Sequence, residues 1–278
     1  MGGLLHKLRC PPRSYVICAV PRSGSNLLGD GLADTQEAGR PKQYFLPEFE
    51  ERYATRYGFD PANDYAGYLR GVISATQTRN NIFGFKLMSF YFDEFLGRLR
   101  ATGAFADEST SDVDLLRAAF SQLQFIHLIR GDKLRQAISR ARAMQTGVWK
   151  IAGSLQPIRE PHYDAQLIVR CLRDGEREEA IWTRFFCAAR LKPLTVNYES
   201  LSQAYIETLR GVLEFIGAGR VENEAIATPR TIRQGDEISD EWYCRFRRRM
   251  AEAGAWSVVV LVAQFAGDVM DLVAWFAC

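Results

Sequence analysis

Histidine is scarce in this chain, and the scarcity removes one class of chemistry at once. Only three occur in 278 residues, His6, His127 and His162, and they stand far apart. With no C-x-x-C pair and no clustered imidazoles, a zinc site has little support and no metal is expected. His127, inside the apolar run Phe125 to Ile129, reads as a hydrogen-bonded core histidine rather than a catalytic base. The six cysteines (Cys10, Cys18, Cys171, Cys187, Cys244, Cys278) are scattered as well, and no secretory leader precedes them. They read as reduced thiols, so the expected location is cytoplasmic. A dominant charge is missing too: the formal net charge is +2, which gives no drive toward nucleic acid or an anionic membrane. The one dense basic run, Arg245, Arg247, Arg248 and Arg249, reads as a solvated helix face. The Walker pattern G-x-x-x-x-G-K-[ST] is absent and no Lys follows Gly24, which counts against Mg-dependent phosphoryl transfer. No apolar run reaches spanning length either. Trp256 to Val262 is nearly all apolar, but Asp268 and Asp271 break the run further along, so no transmembrane span is expected.

What is present is an alternation of strand-like and helix-like stretches, without internal repeats. The chain is 47% hydrophobic and 24% charged, which suits one globular domain with a sizeable core. Tyr15 to Val20, Ile82 to Met88, Phe125 to Ile129 and Leu194 to Val196 are the strand candidates. Phe92, Phe95, Leu96 and Leu99, then Leu134, Ala137, Ile138 and Ala141, then Leu209, Val212, Leu213 and Ile216 have helical spacing, the last stripe ended by Gly217. The expected fold is α/β: a single domain with a central, mainly parallel sheet flanked by helices. Residues 1–250 form that domain. The apolar tail 251–278 is open to three readings: packing on the domain, self-association as a homodimer, or a non-native reading frame.

Two segments about a hundred residues apart carry the chemistry, and each follows an apolar run. After Tyr15 to Val20 come Pro21-Arg22-Ser23-Gly24-Ser25-Asn26. This order reads as strand, tight turn and helix start, with a guanidinium, two hydroxyls and a Gly that lets backbone N–H groups close on an anion. After Phe125 to Ile129 come Arg130-Gly131-Asp132-Lys133, with Ser139 at the edge of the following helix's apolar face, so Arg130 and Ser139 can converge on a second phosphate. One such turn often only caps a helix. Two of them point to a ligand with anionic groups at both ends.

These segments, together with Phe85-Lys86-Leu87-Met88, Gln145-Thr146-Gly147-Val148-Trp149, Arg233-Gln234-Gly235-Asp236 and Glu241-Trp242, occur in an order that resembles the bacterial trehalose sulfotransferase family. Nodulation-factor sulfotransferases resemble it more distantly. The resemblance covers roughly residues 14 to 249. It implies a donor, 3′-phosphoadenosine 5′-phosphosulfate (PAPS), and no metal. The loop Arg22, Ser23, Gly24, Ser25 and Asn26 would be a P-loop-like turn for the 5′-phosphosulfate, Arg130 and Ser139 would hold the 3′-phosphate, and Arg233 and Gln234 would close over the nucleotide.

Sulfuryl transfer to an alcohol needs in-line placement, charge stabilisation and a base for the acceptor proton. Arg22 and the loop amides supply charge. Lys86 is a second candidate cation, or else an edge-strand Lys in solvent. For the base, the resemblance expects a Glu at the position of Gln43, and an amide accepts no proton at neutral pH. Glu48 and Glu50 lie nearby as substitutes, though both read as solvated carboxylates at a helix start. Arg40 and Pro21 stand where the trehalose-acting members carry a Glu and a Gln, which argues against trehalose as acceptor. Tyr44, Phe45 and Trp149 are candidates to stack on a sugar face, unless they pack in the core. The expected activity is sulfuryl transfer from PAPS to a hydroxyl of a carbohydrate, glycolipid or related small metabolite. Two rivals remain: a family member that binds nucleotide without turnover, and a small-molecule kinase.

Overall fold

The apolar runs become four strands, β1 (Arg13–Ala19), β2 (Ile82–Met88), β3 (Gln124–Ile129) and β4 (Leu194–Asn197). The computed structural model describes residues 13–105, 109–149, 158–219 and 236–252. Every position of β2 is buried, and β1 is buried from Ser14 onward, as expected of parallel strands covered on both faces. The sheet is all parallel in the order β2-β1-β3-β4, with Ala19 opposite Met88 on one side and Leu128 on the other, and Ile129 opposite Asn197. The tail 253–278 and the pair Arg233 and Gln234 lie outside the described residues.

Helices fill the crossovers. α1 (Ser25–Asp34), α2 (Pro47–Tyr57) and α3 (Tyr65–Thr76) lie between β1 and β2. A short 3-10 turn (Ser89–Tyr91), α4 (Phe92–Ala101) and α5 (Asp112–Ala119) lie between β2 and β3. α6 (Lys133–Thr146) and α7 (Ala165–Ala188) precede β4, and α8 (Tyr198–Gln203), α9 (Tyr205–Phe215) and α10 (Glu237–Glu252) follow it. The main core surrounds the sheet, and a second apolar cluster joins α6, α7 and α10 through Ala137, Ile138, Ala141, Ile168, Trp242 and Phe246. Among the described residues, no helix is long and apolar enough to cross a membrane.

This order has a functional consequence. From β1 the chain moves outward to β2, then returns to the opposite side of β1 to lay down β3. In open parallel sheets the crevice beyond the carboxyl ends at such a reversal is where ligands bind, because the two flanking loops diverge there. Here those loops are the Arg22 and Arg130 segments.

Candidate functional site

The turn after β1 is closed by Ser23 N–H donating to Val20 O at 3.2 Å and leads straight into α1. Arg22 adopts φ +67° and Gly24 φ +96°, both left-handed. At Gly24 the reason is visible: a β-carbon there would lie 2.5 Å from Cδ2 of Tyr198. With no side chain capping α1, its first N–H groups remain directed at the loop. Ser23 is 1% exposed and its hydroxyl has no hydrogen-bond partner among the described residues, a buried polar group that a ligand would satisfy.

The second loop meets the first directly. Arg22 Nε donates to Ser139 Oγ at 2.9 Å, Arg22 Nη1 donates to the Trp149 carbonyl, and Arg130 Nη1 donates to Arg22 O at 3.1 Å. Gln136 of α6 adds a bond to Pro21 O at 2.9 Å. Burial lowers the Arg22 guanidinium to about 10, and the adjacent Arg130 charge pushes the same way. Burial lowers Arg130 as well, and its Nε is buried without a partner among the described residues. Two neighbouring guanidinium groups, desolvated and bonded to neutral oxygens, are stabilised by an anion between them.

Lys86 is buried at the start of α1. It is 3% exposed, and Nζ donates to Asn26 Oδ1 at 2.6 Å at the start of α1, so the solvent-exposed alternative is overturned. Gln43 follows Lys42, whose carbonyl accepts from Lys86 N–H at 2.9 Å, and Lys42 bridges to Phe85 in parallel register. That bridge places half-buried Gln43 in the segment beside β2, next to the strand that carries Lys86. Arg40 is exposed, and its carbonyl accepts from the Tyr44 hydroxyl.

Other expectations need correction. Tyr44 and Phe45 are each 1% exposed. Phe45 packs 5.4 Å from Phe85 and 5.1 Å from Phe95, and Tyr44 lies 4.8 Å from Tyr53, ring centre to ring centre. Core packing therefore accounts for both, and neither offers a ring face to a sugar. Trp149, at 48% exposed, is not packed in the core. Glu48 is exposed in the first turn of α2, as a solvated carboxylate should be. Glu50 is not: at 5% exposed it pairs with Arg98 at 2.6 Å and accepts from Tyr65 at 3.2 Å, which ties α2 to α4 and removes it from the acid–base candidates. His127 is half-buried, but its Nε2 has no hydrogen bond among the described residues and stands 3.7 Å from Glu179, and burial lowers its pKa. No group of three or more His, Cys, Asp or Glu placed to hold a metal occurs among the described residues.

Three residues of the site escape sequence reading. Trp182 Nε1 donates to Ala19 O at 3.0 Å, holding the end of β1. Tyr198 packs on Gly24 and lies 4.4 Å beneath the Arg130 guanidinium. Glu199 accepts from the N–H groups of Gly131 and Asp132. The signal that could reveal the last two is position: Tyr198 and Glu199 come after the apolar run Leu194 to Val196 just as Arg22 and Arg130 come after theirs.

A parallel sheet with two guanidinium loops at its reversal point defines an α/β protein that handles a phosphate- or sulfate-bearing ligand. The sequence model of the Stf0 sulphotransferases matches residues 14–249, and the chain belongs to that family. Trehalose 2-sulfotransferase of Mycolicibacterium smegmatis is 28% identical over 265 residues, covering 85% of this chain and 95% of the relative. The Mycobacterium tuberculosis trehalose 2-sulfotransferase is also 28% identical, over 270 residues, covering 87% and 97%. Among solved structures, the sulfotransferase domain of the Synechococcus PCC 7002 olefin synthase is 16% identical with a TM-score of 0.46, covering 87% of this chain and 91% of that one.

Proposed function

We propose that this sulfotransferase uses PAPS as donor and transfers its sulfuryl group to a hydroxyl of a carbohydrate, glycolipid or related small metabolite in the cytoplasm. The observation that carries the reading is the bonded set Arg22, Ser139 and Arg130 across the reversal between β1 and β3, which presents two cationic groups to one ligand. The unpartnered Ser23 hydroxyl and Arg130 Nε fit a donor with anionic groups at both ends. Arg22, Ser23, Gly24, Ser25 and Asn26 would hold the phosphosulfate, and Arg130 and Ser139 the 3′-phosphate. Ser139 accepts from Arg22 and keeps its own proton to donate. Arg233 and Gln234 belong to this reading through the family resemblance.

When bound, PAPS supplies the sulfuryl group and departs as adenosine 3′,5′-bisphosphate, while the acceptor oxygen gains the group and loses its proton. Arg22 and Lys86 bring positive charge to the loop where negative charge shifts in the transition state; one preorganised donor at such a place is typically worth about 10² to 10³ in rate. Gln43 orients the acceptor hydroxyl without taking its proton, which passes to solvent water, so turnover proceeds without a strong local base. The relatives are named for trehalose, which supports a carbohydrate acceptor. Pro21 and Arg40 depart from the trehalose-acting pattern and argue for a different sugar.

Adenosine 3′,5′-bisphosphate should raise the melting temperature of the protein, and Mg-ATP should not. Arg130→Ala should weaken the bisphosphate much more than adenosine 5′-phosphate, because a charged hydrogen bond contributes about 1.5 to 3 kcal/mol. Stabilisation by Mg-ATP alone would favour the kinase. Tight bisphosphate binding with no labelled sulfate transferred to any hydroxyl compound of a cell extract would favour a family member without turnover, the alternative that Gln43 keeps open.

A further inference from the structure

The chain just after Arg130 is held by a single carboxylate. The two backbone N–H groups there converge on it: Glu199 Oε2 accepts from Gly131 at 3.0 Å and Oε1 from Asp132 at 3.1 Å. Glu199 is itself fixed, since its own N–H donates to Asn197 Oδ1 at 2.8 Å where β4 turns into α8. Burial works against its charge, yet the Gly131 and Asp132 N–H groups outweigh it, and the carboxyl is held below the usual range.

The entrance to α6 is partly filled from within. Asp132 Oδ1 takes the Arg135 N–H at 2.8 Å and Glu199 takes the N–H groups of Gly131 and Asp132, so these three donors are turned away from a ligand anion. In the proposed reading a second anion is met above all by the Arg130 guanidinium. That guanidinium is steadied from two directions by consecutive residues: its main chain through Glu199, its flat face by the Tyr198 ring at 4.4 Å.

Electrostatics alone predicts the opposite of a positioning role. A carboxylate beside an anion site repels the ligand, so its removal would tighten binding unless its hydrogen bonds matter more. We propose that Glu199 is a positioning residue for the donor: by clamping the N–H groups of Gly131 and Asp132 it holds Arg130 between the Arg22 loop and the 3′-phosphate, and so sets the preference for a 3′-phosphorylated nucleotide. This rests on the assignment of Arg130 to the 3′-phosphate.

The test is calorimetric titration of adenosine 3′,5′-bisphosphate and adenosine 5′-phosphate into the full chain, its Glu199→Ala variant and its Glu199→Gln variant. The parent should prefer the bisphosphate. In Glu199→Ala that preference should fall by about tenfold, the scale of one charged hydrogen bond, with 5′-phosphate affinity within about twofold of the parent. Glu199→Gln retains one acceptor for one of the two N–H groups and should fall between, and it keeps the question answerable if the alanine variant does not fold. A preference unchanged or increased in the variants, or an equal loss for both ligands, overturns the positioning role. A parent that does not distinguish the two ligands removes Arg130 from the 3′-phosphate, and this inference with it.

Discussion

Gln43 carries the proposal about the acceptor, since the family resemblance expects a carboxylate where this chain has an amide. If it orients the acceptor, Gln43→Glu should raise sulfuryl transfer to a competent sugar alcohol by about 10² to 10⁴, the usual contribution of a positioned base, and should barely alter nucleotide affinity. The rate should also acquire a dependence on a group titrating in the acid range, read from a pH profile of parent and variant. Abolition of the parent's turnover by Glu48→Gln, with no gain in Gln43→Glu, would move the base to Glu48. Single residues are unevenly legible in the sequence. Lys86 is recognisable as a candidate cation, but its burial depends on its stem lying against Gly29 of α1, a contact that no local pattern announces. Tyr44 and Phe45 mislead because an aromatic pair looks the same in a pocket or a core until Phe83, Phe85, Phe95 and Phe120 are seen gathered around it.

The strand, turn and helix unit from β1 to α1 is the element that shapes the first anion loop. Gly24→Ala places a β-carbon on a left-handed residue and against the Tyr198 ring, which costs about 1 to 3 kcal/mol by analogy with other strained backbones. Its melting temperature should drop, and the bisphosphate should bind more weakly by more than the stability loss alone explains. A variant with parental stability and affinity would show that the loop is softer than its geometry implies. The four strands are plain in the sequence because each is a short, mostly apolar run. Their order is not: apolar runs say that strands are buried, and nothing about which one neighbours which. The docking of α10 is hidden for a similar reason. Trp242 and Phe246 share one helical face, but only contact with Ala137, Ile138 and Ile168 gives that face a purpose.

At the scale of the molecule, α10 is fastened over α6 by charge as well as by packing. Asp236 accepts from both terminal nitrogens of Arg142, at 2.7 Å for Nη2, and Asp240 pairs with Arg135 at 2.6 Å. Burial opposes the Asp236 charge, but its hydrogen bonds to Arg142 and Ser239 outweigh this and hold the carboxyl below the usual range. A carboxylate depressed in the folded state contributes stability above its unfolded value, about 3.9 for Asp, and loses that contribution as pH falls through the folded value. Melting temperature should therefore decline on acidification below about pH 4, and Asp236→Asn should melt lower at neutral pH while showing a shallower acid decline. Equal slopes would mean that other carboxylates govern the acid limb. The arrangement of the sheet has one more consequence, for the order in which the protein comes into being. The bond from Arg130 to Arg22 spans 108 residues, that from Arg22 to Ser139 spans 117, and that from Trp182 to Ala19 spans 163. Contacts so distant along the chain close late, because the intervening loop must be ordered first. On the ribosome the Arg22 loop is thus made well before the segments that give it its shape. A nascent chain that stops short of Tyr198 and Glu199 carries every residue of that loop and none of the neighbours that β4 and α8 bring to it.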